Sequence, residues 1–132
     1  MRLIKTYIVT LVVFFAIDIL WLGFIAKDMY RNNIGHLMAD KTNWIAAIIF
    51  YMIFIGGLIF FAINPALNKD SWTQALLLGS LFGFMCYATY DMTNLATLKD
   101  WSLKITIVDI MWGTFLNGLT STVSFFIMRF IS

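Results

Sequence analysis

Asp18, Asp91 and Asp109 each stand inside, or at the end of, an apolar run long enough to cross a bilayer. Two of them repeat a local pattern, Asp18-Ile-Leu-Trp21 and Asp109-Ile-Met-Trp112. Residues three apart share a helix face, so each of these carboxylates has an indole beside it. An acid next to an aromatic face is a physical recipe for holding a cation, through charge and cation–π attraction. The third acid belongs to a polar block, Tyr87-Ala-Thr-Tyr90-Asp91-Met-Thr-Asn94-Leu-Ala-Thr97, which supplies two phenols, an amide and several hydroxyls. No Lys or Arg occupies the central part of any of these runs. A cation, a proton or a network of hydrogen-bond donors must therefore compensate the gathered carboxylates.

Each acid facing lipid near the bilayer centre costs roughly 3 kcal/mol on the insertion scale. Three such costs make insertion hard, so an inward cluster is expected over three lipid-facing acids. Two readings of that cluster stand side by side. It is an exchangeable site for a proton, a small cation or a ligand headgroup, the default for an intramembrane acid. Alternatively it is a structural lock, in which Tyr, Trp, Asn and Thr donors bind the carboxylates and hold the helices together.

The elements that position these residues follow from hydropathy. The chain has 132 residues, 61% hydrophobic and only 12% charged, whereas a soluble domain is nearer half apolar and a quarter charged. Mean hydropathy is +0.86. Lipid is the expected solvent. The apolar pattern predicts an all-α integral membrane protein, a single domain of four spans at about 7–26, 44–63, 72–95 and 105–131. The first run is too long for a signal-peptide core and no small-x-small site follows it. Lys27 to Asn43 is polar, with Met29, Tyr30, Ile34, Leu37 and Met38 at roughly helical spacing, which fits either a short interfacial helix between the first two spans or an ordered loop. Asn64-Pro65 is expected to end the second span, with residues 64–71 as a turn. Short connections make the bundle antiparallel.

The third span carries Gly79 and Gly83, a G-x-x-x-G pair that lets a neighbouring backbone come close. Continuing the spacing gives Gly79, Gly83, Tyr87, Asp91 and then Asn94 or Leu95, so the close-packing face and the polar face coincide. On the fourth span the matching stripe reads Asp109, Gly113, Asn117, Thr120, Ser121 and Ser124. The topology puts Asp18, Asp91 and Asp109 in the half of the bilayer next to Lys27–Asn43. Candidate ligand- or proton-binding residues are thus Asp18, Trp21, Tyr87, Tyr90, Asp91, Asn94, Asp109, Trp112 and Asn117, with His36 secondary; Gly79, Gly83 and Gly113 are assigned to helix packing.

Charge says less. Arg2, Lys5, Lys69 and Arg129 fall on the side of the termini, and Lys27, Arg31, Lys41, Lys99 and Lys104 on the other. The positive-inside rule needs an asymmetry, and this near-tie only leans toward cytoplasmic termini. A net charge of +2 gives no reason to expect nucleic acid; membrane lipids are the expected surroundings. Four helices enclose little space, so a homodimer is expected.

Several chemistries are excluded. Cys86 is the only cysteine, which removes an intramolecular disulfide and thiol–disulfide exchange. His36 is the only histidine, which removes bis-histidine haem ligation. H-E-x-x-H, paired C-x-x-C, P-loop and G-x-S-x-G motifs are absent. No cofactor and no metal site is expected.

At Asp18-Ile-Leu-Trp21-Leu-Gly23, Gly35-His36-Leu37-Met38-Ala39, the Tyr87–Thr97 block and Asp109-Ile-Met-Trp112-Gly113, the chain resembles the small bacterial membrane proteins grouped as domain-of-unknown-function family 2177 (DUF2177). The resemblance runs the whole chain and implies a four-helix, multi-pass protein of the bacterial inner membrane. It brings no activity. The functional expectation therefore rests on the carboxylates: a site that binds or moves a small cation, a proton or an amine- or lipid-like ligand, as in a small transporter. The alternatives are a non-transporting module that binds a lipid headgroup or partner enzyme, and an unrecognised membrane-embedded enzyme, although the sequence leans against catalysis.

Overall fold

The structure, a computed structural model, describes residues 2–38 and 41–131. Helix α1 (Arg2–Leu20) widens at its end into a π-helical turn, Trp21–Ile25. The short helix α2 (Lys27–Ile34) follows, with a single 3-10 turn at Gly35–Leu37. Residues 39 and 40 of the polar stretch between the first two spans lie outside the described residues. Helix α3 (Trp44–Leu58) passes through a second π-turn, Ile59–Ile63, into α4 (Asn64–Lys69). Helices α5 (Trp72–Thr97) and α6 (Leu103–Ile131) complete the chain.

Among the described residues, four helical stretches, Arg2–Ile25, Trp44–Lys69, Trp72–Thr97 and Leu103–Ile131, are long and apolar enough to cross a membrane. They form the expected all-α antiparallel bundle. Their ends differ from the hydropathy limits because helical hydrogen bonding continues where caps allow it. Ser102 accepts from the Ile105 amide at 3.1 Å and starts α6 early, while Ser71 caps α5 through the Gln74 amide.

The expected turn at 64–71 is corrected. Helix continues through Pro65 to Lys69, and the chain reverses only at Asp70, which takes a left-handed conformation with φ 50°. Proline removes an amide and crowds the carbonyl four residues back. Here the turn just before it is already widened: the Asn64 amide reaches back to the Ile59 carbonyl. The π-turn absorbs the strain, so the helix persists.

The most extensive helix pairing is α5 against α6, and glycine sets it. A Cβ on Gly83 would meet the Gly113 carbonyl oxygen and lie 2.7 Å from the Asn117 side chain. One on Gly79 would lie 2.7 Å from the Asn117 carbonyl, and one on Gly113 would enter the Tyr87 ring. The Gly79–Gly83–Asp91 stripe is buried, as its spacing predicts. Phe14, Phe54, Ile55, Leu58, Ile59, Ala62, Ile63 and Leu116 form the apolar core. At the terminal end, Arg129 pairs with Asp70 at 3.2 Å, both well exposed, where an ion pair contributes little.

Because the α5–α6 approach leaves no room for a methyl group, Gly83→Ala is expected to lower stability by about 1–3 kcal/mol. Gly56→Ala, whose Cβ would face open space, is expected to leave the melting temperature in detergent unchanged or slightly higher. Equal melting of the two variants would contradict the close-packing account.

Candidate functional site

The helix ends beneath α2 line a half-open cavity of about 250 Å³. It is lined by Asp18, Trp21, Leu22, Tyr30, Ile34, Tyr51, Tyr87, Tyr90, Asp91, Trp101, Ile105, Asp109 and Trp112. All three candidate acids therefore share one chamber, brought there by α1, α5 and α6.

The two Asp-x-x-Trp segments interlock. Trp21 and Trp112 stack face to face, with ring centroids 4.4 Å apart and planes 10° from parallel. Across that stack, the Trp112 indole N–H donates to Asp18 Oδ1 at 3.3 Å. The Trp21 indole donates to the Tyr30 hydroxyl at 3.2 Å, and that hydroxyl donates to Asp109 Oδ1 at 2.7 Å. Each indole thus serves the carboxylate of the other helix, one directly and one through a phenol. The i, i+3 spacing places indole and acid on one face of each helix, but the hydrogen bonds cross between helices. The π-turn beginning at Trp21, closed by the Ala26 amide on the Trp21 carbonyl at 2.7 Å, lies where the indole must reach across.

Asp91 is different. It is 0% exposed, against 7% for Asp18. Among the described residues neither of its oxygens meets an N–H or O–H donor. What lies against it is the second carboxylate, that of Asp109, within hydrogen-bonding reach. A buried acceptor left unmade costs about 1–3 kcal/mol, and more when charged. The described cavity wall holds no Lys, Arg or His.

Helix α2 lines this end with Tyr30 and Ile34. Tyr30 reaches down to Asp109, and the Ser102 hydroxyl donates to Asn33 Oδ1 at 3.4 Å. Burial, and the negative charge of Asp109 beside it, push the Tyr30 phenol well above its ordinary pKa. Trp101 is held by its indole on Thr106 Oγ1 at 3.1 Å and meets Tyr90 edge to face.

Of the residues singled out by sequence, Asp18, Trp21, Tyr87, Tyr90, Asp91, Asp109 and Trp112 line the cavity. Three do not. Asn94 lies one turn beyond Tyr90, half-buried and outside the lining. Asn117 is buried deeper, its Nδ2 donating to the Gly113 carbonyl at 2.7 Å. His36 is exposed on the 3-10 turn and away from the cavity. Tyr30, Tyr51 and Trp101 are lining residues that the sequence did not single out. Tyr30 carried one signal, a phenol in the apolar register of an amphipathic segment. Tyr51, within a wholly apolar run, carried none.

Among the described residues no group of three or more His, Cys, Asp or Glu side chains is disposed to hold a metal ion. The three acids share a chamber without converging on a point.

A family model for predicted membrane proteins, DUF2177, matches residues 3–126. No curated protein and no solved structure matches the chain.

Removing Tyr30's hydroxyl leaves Asp109 without its donor. Tyr30→Phe is expected to cost about 1–3 kcal/mol in detergent melting at neutral pH, and Trp112→Phe, which strips the donor from Asp18, a similar amount. The Tyr30 variant also has a pH signature. A raised folded-state pKa means that the phenol's contribution is present below about pH 10, the unfolded value, and is lost as pH climbs toward the folded one. Tyr30→Phe should flatten the alkaline fall in stability. An unchanged slope between about pH 9 and 12 would count against the buried neutral phenol.

Proposed function

The chain belongs to the DUF2177 family of predicted membrane proteins, and on that premise we propose that its acidic cavity binds a small cation within the membrane. The observation that carries this is Asp91, fully buried with both carboxylate oxygens unmet. A structural lock accounts for Asp18 and Asp109, each with its indole or phenol donor. It accounts for Asp91 only through a proton shared with Asp109, since no N–H or O–H donor among the described residues reaches either of its oxygens. A ligand that brings positive charge resolves the arrangement, and the indoles and phenols around it supply cation–π surface.

The chamber is formed by one chain, so the reading holds for a monomer or for a dimer. The location we propose for this multi-pass protein is the bacterial inner membrane. At about 250 Å³ the chamber lies below the range that takes drug-sized ligands. This favours a small cation over a lipid headgroup.

Thermal melting of the purified protein in detergent tests the reading, using sodium, ammonium, methylammonium and tetramethylammonium salts at equal ionic strength. At least one cation is expected to stabilise the wild type, by about 2.7 kcal/mol at a concentration near 100 Kd, and to perturb the fluorescence of the Trp21–Trp112 stack. Asp91→Asn should lose both responses while Asp100→Asn, an exposed loop acid, keeps them. No response to any cation in wild-type protein overturns the proposal.

A further inference from the structure

The cavity's unmet valences narrow the ligand class, an inference that rests on the cation-binding reading above. We propose that the occupant is a protonated primary amine, taken up in exchange for one proton held between Asp91 and Asp109.

Three observations lead there. Among the described residues no N–H or O–H donor reaches either oxygen of Asp91, so the ligand must bring at least two hydrogen bonds on its charged atom. An R–NH3+ group has three N–H donors on one compact cation, as a lysine ammonium does; a quaternary ammonium has none. A hard metal ion is disfavoured by geometry, because calcium takes six to eight oxygen ligands and magnesium near-ideal octahedral coordination, whereas the acids here do not converge on a metal position among the described residues. The walls then suit the rest of the amine: the stacked Trp21 and Trp112 rings and Tyr87 offer apolar faces in a chamber of about 250 Å³.

The proton follows from charge. The titratable groups facing the chamber are Asp18 from α1, Tyr30 from α2, Tyr51 from α3, Tyr87 and Tyr90 from α5, and Asp109 from α6, around Asp91 itself. None is basic, so among the described residues no protein cation neutralises the Asp91–Asp109 pair. Two bare carboxylates in contact within a low-dielectric chamber repel strongly. In the empty site a proton between them relieves this repulsion. When an ammonium group arrives, it donates to Asp91, the shared proton leaves to bulk water, and the net charge of the chamber is unchanged. No covalent bond other than O–H is broken.

The experiment compares n-propylammonium, tetramethylammonium and sodium on purified wild-type protein in weakly buffered detergent solution. Binding is read by tryptophan fluorescence and proton release by a pH-indicator dye. n-Propylammonium is expected to bind at least about tenfold tighter than the other two, to release about one proton per bound amine, and to gain about tenfold in apparent affinity per pH unit while that proton is present. Asp91→Asn, nearly isosteric, should weaken it about tenfold or more and abolish the pH slope. If tetramethylammonium or sodium binds as tightly, or if amine binding releases no proton and shows no pH slope, the inference is overturned while the cation site stands. If none of the three binds wild-type protein, both fail together. The slope is read on wild type alone, so the result does not hinge on the variant folding.

Discussion

A carboxylate inside a bilayer must find donors, a proton or a cation, because the hydrocarbon offers nothing in return for its hydration shell. Three such groups are drawn into one chamber here, and much of the bundle follows from holding them there. Helix α6 brings Asp109 and Trp112, α1 brings Asp18 and Trp21, and the indoles cross to serve the opposite acid. The stacked pair at 4.4 Å ties the two helices at the depth of the acids. Helix α2 lies over the opening with Tyr30 completing the relay. Asp91, on α5, is the acid this network leaves without a donor, and it is the most deeply buried of the three.

That placement depends on backbone proximity as well as polarity. The stripe Gly79, Gly83, Tyr87, Asp91 presses α5 onto α6 so closely that a methyl group at either glycine would collide with the facing helix. Tyr87 in turn lies in the space that Gly113 leaves open. Between helices in lipid, close packing and interhelical polar contacts take the place of the hydrophobic effect. The two are combined on one face, so the contact that assembles the helices also delivers Asp91 to the chamber. The π-turns play a complementary part. One re-phases α1 at Trp21, and the other lets α3 and α4 run on through Pro65 to a turn at Asp70.

Much of this could be read from residue order. Hydropathy located four spans, and the four-residue recurrence from Gly79 to Asp91 located the buried face of α5. The Asp-x-x-Trp repeat pointed to carboxylates beside indoles, and connectivity put the three acids in the same half of the membrane. Less legible were the ends. Pro65 reads as a stop because local sterics disfavour helix before it, yet a widened turn upstream removes the clash. Ser102 starts α6 before its apolar limit by capping it.

The sequence by itself determined that the protein is helical and membrane-embedded, that its acids cannot face lipid, and that glycine and aspartate share a stripe. These are properties of composition and of the 3.6-residue period, and they hold before any helix meets another. Only the tertiary structure decided which donor serves which acid. The direction of an indole N–H between helices depends on crossing geometry and on a π-turn that no spacing rule encodes. It alone brought Tyr30, Tyr51 and Trp101 to the cavity, left Asn94, Asn117 and His36 outside it, and sealed Asp91 beside Asp109 without a donor. Hydrogen-bond pairing is a matter of ångströms across the bundle, whereas hydropathy is a matter of residues along the chain.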